Sequence, residues 1–297
     1  MNYEDFKEAV LGEVTGRVEG CRIVIKRVEK NNGVSKDGLV IYRDGEGISP
    51  TLYLESYYSD YAGGKDFGVV VDDLLKDYED AGGLYMPDGF DYRSMLQFKQ
   101  ARDRIVYRII NKRMNEELLQ DIPYRSFAGD LAITFLVLLE TGDGPNATMV
   151  INNRIMEEWD TDVEELIELA VENTPRLMGW ELASMQDVLA GQGLPCGEDG
   201  DFGLQPMYVL TNKQKMYGAS CVLYPGVLED VSEKLNGDFF ILPSSLHEVI
   251  IIPAYLSASI KELTEMICEV NETQVPAEQV LSDHPYRYVR DKGMVAA

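Results

Sequence analysis

The longest regular pattern of apolar and polar positions lies between Met207 and Ala254. Runs rich in Val, Leu and Tyr alternate there with short turn signals, and the apolar positions from Val227 to Leu235 recur at helical spacing. The pattern predicts the order strand, strand, helix, strand, strand and a final helix. These predicted elements are residues 207–210, 217–224, 225–235, 239–242, 249–252 and 257–270.

The same order of elements recurs earlier in the chain. A nine-residue apolar run at 131–139 and a second run at 147–151 predict a hairpin. A helix follows from Thr161, and the Asn173-Thr174-Pro175 sequence predicts its end. Strand-strand-helix units therefore start near Leu131, Met207 and Phe239. They predict an α+β fold with mainly antiparallel sheets and with helices packed on the sheet faces.

The first eighty residues predict a smaller mixed unit. Tyr3, Phe6, Val10 and Val14 lie on one face of a predicted helix. Two strands, a helix starting at Ser49-Pro50 and a further helix follow. The predicted bounds are 22–28 and 39–42 for the strands and 67–78 for the last helix.

We expect an N-terminal α+β region over residues 1–125, a C-terminal α+β region over 126–274 and a tail over 275–297, all of which can belong to one integrated domain. The stretch 176–205 is rich in Gly, Pro and Met, and it predicts a long loop. The tail after Asn271 lacks periodicity, so it can lie over the surface as an irregular segment or be disordered.

The charge is strongly acidic, with 51 Asp and Glu against 27 Lys and Arg and a net charge of −24. Because a phosphate backbone requires a basic surface, we expect neither direct binding to nucleic acid nor binding to an anionic membrane. Either the acidity keeps a cytosolic protein in solution, or an acidic face imitates nucleic acid and binds a basic partner protein in its place.

The chain predicts a cytoplasmic protein without disulfides. Its first residues are acidic and polar, and its longest apolar runs are far shorter than the ~20 residues that span a bilayer. The four cysteines are far apart in sequence and form no CxxC pair, which predicts reduced thiols.

Basic residues cluster between Asp91 and Arg113, against the overall charge. They can form a solvated face paired with acidic neighbours, or a docking patch for an anion. The candidate binding residues are Arg102, Arg104, Arg108, Lys112 and Arg113.

The most suggestive catalytic cluster lies between two predicted strands. Ser244, Ser245, His247 and Glu248 supply a hydroxyl, an imidazole and a carboxylate, the groups of an activated nucleophile. Adjacent residues of a strand point to opposite faces, so a polar turn with His247 bonded to the backbone is the alternative.

We predict no metal site and no cofactor. His247 and His284 are the only histidines, and no motif with zinc-ligand spacing is present. The Gly191-Gln192-Gly193 sequence lacks the third glycine and the preceding strand of a dinucleotide-binding motif.

Four segments carry a resemblance to a family of uncharacterised proteins common in gut Firmicutes. They are IPYRSFAGDLAITFLVLLE, ATMVINNRIMEEWDTDVEELIELAVENTPRLM, the stretch from Met207 to Ala254 and the tail LSDHPYRYVRD. Weaker similarity continues towards Met1, and the chain is also distantly similar to a second, Bacillus-type family. The resemblance implies a bacterial, intracellular protein of unknown role, and it transfers no role to any residue.

These observations predict a non-catalytic binding or regulatory protein whose partner is another protein. A first alternative is an acidic inhibitor that imitates nucleic acid, as a counter-defence protein of a mobile element would. A second alternative is a hydrolase that uses His247, which requires a cleft joining His247 to a hydroxyl or a carboxylate.

Overall fold

The computed structural model describes residues 1–43, 49–82, 97–139, 147–191, 206–256, 259–290 and 292–297. The chain divides into two compact units. One comprises Met1–Tyr92 with Glu140–Ala147, and the other comprises Arg93–Leu139 with Thr148–Ala297. The fold is α+β with antiparallel sheets, which confirms the predicted class. Among the described helices, none combines the length and apolarity needed to cross a membrane.

The first unit packs three helices with a three-stranded antiparallel sheet. Its elements are α1 (Tyr3–Arg17), β1 (Cys21–Glu29), β2 (Ser35–Arg43), β3 (Thr51–Tyr53), α2 (Leu54–Ala62) and α3 (Phe67–Gly82). Phe6, Val10 and Val14 of α1 are buried at the predicted helical spacing. The short strand β3, which pairs with β2, precedes α2 where the sequence predicted a helix start.

The second unit contains a four-stranded and a six-stranded sheet. Its strands are β4 (Ile105–Asn111), β5 (Tyr124–Phe127), β6 (Leu131–Leu139), β7 (Ala147–Val150), β8 (Glu181–Ser184), β9 (Tyr208–Thr211), β10 (Phe239–Pro243), β11 (Val249–Pro253), β12 (Tyr286–Val289) and β13 (Gly293–Ala296). Its helices are α4 (Phe98–Ala101), α5 (Leu118–Asp121), α6 (Asn153–Glu158), α7 (Val163–Met178), α8 (Met185–Gly191), α9 (Val227–Leu235) and α10 (Ile260–Thr273).

The four-stranded sheet is built around β6, which has β4 on one side, β5 on the other and a further pairing with β7. All nine residues of β6 are buried, as its continuous apolar sequence predicted. In the six-stranded sheet the order is β13-β12-β10-β11-β9-β8, so β10 and β11 are central. Their burial confirms the two apolar runs as interior strands.

The predicted strand at 217–224 is wrong. Gly218–Leu223 is a 3-10 helix, and Tyr217 before it has a left-handed φ of 55°. Gly218 lies so close to Thr211, Asn212 and the backbone of His247 that a Cβ atom has no room there. This close approach folds an apolar run with local strand character into a compact turn.

The predicted end of α7 is also wrong, because the helix continues through Pro175 to Met178. Asn173 donates to the backbone oxygens of Arg102 and Ile105 at 2.8 and 3.1 Å, and the Thr174 hydroxyl donates to the Ala170 oxygen. The bond from Thr174 lies within the helix, but its hydroxyl oxygen also accepts the Tyr107 N–H at 3.2 Å. Asn173 and Thr174 therefore attach the last turns of the helix to the rest of the unit, where the sequence suggested a break.

Two segments predicted without regular structure contribute to the six-stranded sheet. The stretch predicted as a loop contains β8 and α8, while residues 192–205 lie outside the described residues. The tail supplies β12, which pairs with β10, and β13, which pairs with β12. Tyr286 and Tyr288 are buried and alternate with half-buried neighbours, which is the strand pattern of period two.

Candidate functional site

The five predicted binding residues do not form one patch. Arg102 is exposed beside Asp103, and Arg104 lies half-buried in the same 3-10 turn before β4. Arg108 is buried on β4 and is only 8% exposed. Lys112 and Arg113 follow the end of β4, where they line the same cleft. The structure thus separates one buried arginine from two cations at a surface cleft.

We call this cleft the basic cleft after Lys112 and Arg113, although Glu116 and Asp130 balance their two charges in its wall. Its volume is about 400 Å³, within the range of small-ligand pockets. Its lining residues are Lys112, Arg113, Glu116, Leu119, Gln120, Tyr124, Gly129 and Asp130. The wall therefore combines two cations, two carboxylates and the apolar surfaces of a leucine and a tyrosine.

The turn that carries both cations is held by Asn111 at the end of β4. The Asn111 Oδ1 accepts the backbone N–H of Met114 at 2.9 Å, and its Nδ2 donates to the Leu281 oxygen at 3.1 Å. The backbone N–H of Lys112 donates to the Asp130 oxygen at 2.7 Å. The cations thus project from a turn whose backbone is bonded on two sides.

The side chains of the two cations are only lightly engaged. The Lys112 Nζ donates to the Ser126 hydroxyl at 2.9 Å and lies 5.8 Å from the centre of the Tyr124 ring. Arg113 is 78% exposed, and its Nη2 lies 3.6 Å from the Asp283 carboxylate. Both charged groups can therefore turn towards a bound partner at small cost.

Asp130, at the edge of the cleft, is the centre of a polar cluster. Its Oδ1 accepts the Tyr286 hydroxyl at 2.6 Å, and its Oδ2 accepts the Ser282 hydroxyl at 2.9 Å. The His284 Nε2 lies 3.6 Å from the Asp130 Oδ1, which makes an ion pair when the imidazole is protonated. Tyr286 and Ser282 are buried, so the carboxylate is held in one orientation.

Asp283 and His284 complete this cluster. The His284 Nδ1 lies 2.9 Å from the Asp283 Oδ1 and 3.2 Å from the Ser282 hydroxyl. The hydrogen bond to His284 lowers the pKa of Asp283, and burial raises the pKa of Tyr286 well above its usual range. Since the Ser282 hydroxyl is buried and bonded to Asp130, it does not offer an accessible nucleophile.

Sequence reasoning did not identify this cluster. Asp130 and Tyr286 are separated by 156 positions, so only the pairing of distant segments brings them together. A signal was present, since Asp130 ends the segment IPYRSFAGD and the other members lie in LSDHPYRYVRD. Both segments carry the family resemblance, but nothing in either one indicates the other as its neighbour.

The predicted catalytic cluster is a turn between β10 and β11 with its polar groups bonded to the backbone. The His247 Nδ1 accepts the backbone N–H of Tyr217 at 3.2 Å, while the Ser245 hydroxyl oxygen accepts the backbone N–H of His247 at 3.0 Å. Ser244 and Glu248 are half-buried in the same turn. Within the described residues, neither a hydroxyl nor a carboxylate hydrogen bonds to the His247 ring.

The His247 imidazole is instead part of a stack. It lies parallel to the Tyr217 ring, with 5.9 Å between centroids and 21° between planes. The Arg108 guanidinium lies over the same tyrosine ring at 5.3 Å. Burial lowers the pKa of His247, so the ring is neutral at neutral pH. The structure thus brings one predicted catalytic residue and one predicted binding residue to the same tyrosine.

The part of the chain that the structure describes contains no cluster of metal ligands, and its Cys221 thiol is buried. There, no group of three or more His, Cys, Asp or Glu could hold a metal ion. Cys21, Cys221 and Cys268 are free thiols, and Cys196 lies outside the described residues. Burial raises the pKa of Cys221 to about 12, which keeps this thiol protonated.

Comparison with known proteins gives one match. No curated protein matches the chain, and no solved structure does. Residues 3–290 match the model of a family described as "Family of unknown function (DUF5688)". Because this match covers nearly the whole sequence, the chain belongs to the DUF5688 family.

Proposed function

We propose that the chain is a non-catalytic, cytoplasmic binding or regulatory protein whose partner is another protein, and that the partner docks in the basic cleft. The observation that carries the proposal is the convergence of Lys112 and Arg113 on one cleft in a chain with a net charge of −24. Cations exposed in this way, with little engagement inside the chain, are suited to pairing with groups from outside.

The chemistry of the cleft wall supports a protein partner. Arg, Met and aromatic residues are enriched at protein interfaces, and Arg113 is followed by Met114, which is 40% exposed. Leu119 and Tyr124 add apolar surface inside the cleft. Asp130 is already bonded to Ser282 and Tyr286. A partner segment that fits the basic cleft therefore carries a carboxylate, which pairs with the two cations, next to an apolar side chain.

Charge reversal at the cleft tests this proposal. The tagged wild-type protein and the K112E/R113E variant are used to capture proteins from a lysate of the source organism, followed by mass spectrometry. The matched control is R154E/K261E, because Arg154 and Lys261 are 83% and 85% exposed elsewhere in the second unit. A partner retained by the wild type and the control but lost by K112E/R113E supports docking in the cleft. A partner retained equally by all three proteins contradicts it.

The excess of 51 acidic over 27 basic residues favours a second candidate, an acidic inhibitor that imitates nucleic acid. This function requires a basic partner attracted by the carboxylates, and salt weakens such binding. The same capture experiment at low and moderate salt distinguishes the two. A nucleic-acid-binding protein that K112E/R113E retains and that moderate salt releases supports the inhibitor.

A further inference from the structure

Arg108 is a buried cation without a counter-ion in the described part of the chain. Arg108 is 8% exposed. No carboxylate of the described residues lies within ion-pair distance of its guanidinium. Burying an unpaired charge is costly, and proteins normally pair such a group or bond it fully. Either weaker contacts alone stabilise the charge of this arginine, or an anion from outside the chain pairs with it.

The contacts that Arg108 does make leave most of its donors unused. Its Nε donates to the Thr134 hydroxyl at 3.3 Å, and its guanidinium carbon lies 5.3 Å from the centre of the Tyr217 ring. A guanidinium has five N–H donors, so the four on the terminal nitrogens remain. Neither terminal nitrogen hydrogen bonds to a described residue, and neither is among the fully buried atoms that lack a partner, so each keeps a small accessible surface.

The surroundings hold these groups in place without adding a second positive charge. Tyr217 is fixed by the bond from its N–H to the His247 Nδ1, and the Asn212 side chain bonds both the N–H and the oxygen of Met216. His247 is neutral at neutral pH, because its burial opposes protonation. Arg108 is therefore the one cation within this stack.

The neighbouring side chains are apolar. Val106, Leu136 and Met178 form a buried cluster, against which Leu177, Met216 and Tyr217 pack in part. A phosphate dianion is usually bound by several cations or backbone amides. One planar guanidinium, in contrast, binds one carboxylate through two parallel hydrogen bonds. An apolar or aromatic body attached to that carboxylate would contact the tyrosine and methionine side chains.

We propose that Arg108, together with Tyr217 and Thr134, forms a binding site for a small apolar monocarboxylate, separate from the basic cleft. The carboxylate takes the free N–H groups of Arg108, and the apolar body of the ligand packs against the edge of the Tyr217 ring and Met216, since His247 and Arg108 already lie against the ring itself. This site is a further binding activity and does not depend on protein docking at Lys112 and Arg113.

Isothermal titration calorimetry with the full-length protein tests the site. The probes are sodium benzoate, sodium acetate and inorganic phosphate, at an ionic strength matched with NaCl. We expect saturable binding of benzoate, weaker binding of acetate and no binding of phosphate. R108K should weaken benzoate binding by about tenfold or more, because lysine cannot form the paired bonds, and R108M should abolish it. R154M is the matched control, because Arg154 is 83% exposed and belongs to neither site, and it should stay within about twofold of the wild type.

Several results would overturn the proposal. These are the absence of saturable carboxylate binding, unchanged binding by R108M, tighter binding of phosphate than of carboxylate, and loss of binding in R154M instead of R108M. If R108M does not fold, R108K and Y217L decide the question. R108K keeps the charge, and Y217L should weaken benzoate binding more than acetate binding, because only the larger apolar body of benzoate contacts the edge of the tyrosine ring.

Discussion

Two histidines illustrate how residue environments differ within one unit. His284 lies between the carboxylates of Asp283 and Asp130, at 2.9 and 3.6 Å. His247 has no carboxylate contact in the described residues and stacks on Tyr217 instead. The sequence singled out His247 because of its serine and glutamate neighbours. The structure places the acidic partners around the other histidine, since contacts between distant segments decide what each imidazole touches.

At the residue scale, Y286F should destabilise the protein. The Tyr286 hydroxyl is buried and donates to the Asp130 carboxylate at 2.6 Å, so its removal should cost about 1.5–3 kcal/mol of unfolding free energy. Urea unfolding measures this change. Y124F is the control and should change the free energy by less than about 0.5 kcal/mol. Equal effects of the two substitutions would contradict the role assigned to the Asp130 bond.

His247 predicts a specific dependence of stability on pH. Its pKa is lowered in the folded state, so the unfolded chain takes up a proton near the ordinary pKa of about 6.5 before the folded chain does. The contribution of His247 to the free energy of unfolding is therefore fully present above this pH. It is lost as the pH falls from 6.5 through the lower pKa of the folded state. The slope cannot exceed about 1.4 kcal/mol per pH unit for one proton.

H247N isolates this contribution, because asparagine can still accept the Tyr217 N–H but does not titrate. Between pH 7.5 and 5.5 the unfolding free energy of the wild type should fall more steeply than that of H247N. Arg108 also faces Tyr217 and is the same in both proteins. Parallel pH profiles for the two proteins would rule out a lowered pKa at His247.

At the scale of elements, β4 is an edge strand whose free N–H groups are satisfied by buried hydroxyls. The N–H of Tyr107 donates to the Thr174 hydroxyl of α7, and the N–H of Ile109 donates to the Ser220 hydroxyl, both at 3.2 Å. An uncovered edge would leave unpaired backbone groups and would invite pairing with another chain. Side chains from a helix and a 3-10 helix thus close this edge of the sheet.

Removal of these hydroxyls should leave buried N–H groups of β4 unpaired and thereby lower the free energy of unfolding. T174V and S220A should each lower the unfolding free energy by about 1–3 kcal/mol in urea titrations. T264V is the control, since the Thr264 hydroxyl donates only to a backbone oxygen near the surface of α10. Its effect should be below about 0.5 kcal/mol. If T174V is as stable as T264V, the edge of β4 does not depend on α7.

Gly218 decides the geometry between β9 and α9. A Cβ atom there would lie 2.7 Å from the Asn212 nitrogen and even closer to Thr211 and the His247 oxygen. G218A should therefore cost about 2–3 kcal/mol of unfolding free energy, measured by urea unfolding. G237A is the matched control, because nothing lies within 4 Å of a Cβ at that position. A tolerated G218A would contradict the close packing described for this turn.

At the scale of the molecule, pairings between distant segments complete the sheets. The tail strand β12 pairs with β10, and Tyr288 stacks on Phe239 with 4.9 Å between ring centres. The same tail brings Ser282 and Tyr286 to Asp130. Since β10 lies next to β12 within the six-stranded sheet, loss of the tail would leave one side of β10 unpaired.

Truncation after Val280 should therefore destabilise the second unit severely. We expect aggregation, or a loss of more than about 4 kcal/mol of unfolding free energy together with a smaller urea m-value. Deletion of residues 296–297 alone is the control and should cost less than about 1 kcal/mol. A truncated protein with the urea midpoint of the full-length chain would show that the tail strands are dispensable.

The sequence by itself determined the fold class and most of the individual elements. The burial of Phe6, Val10 and Val14 in α1 and of all nine residues of β6 follows from apolar periodicity, which is a local property of each segment. Net charge and the resemblance to a family of unknown function were likewise readable without coordinates.

Only the tertiary structure decided how these segments meet. It turned residues 218–223 into a 3-10 helix through the close packing of Gly218, and it carried α7 past Pro175 through the bonds that join Asn173 and Thr174 to the segment around β4. It also assembled the basic cleft, the Asp130 cluster and the stack of Arg108 on Tyr217. The physical reason is that periodicity shows which face of a segment is buried, whereas the choice of neighbour depends on packing with residues far away in the chain.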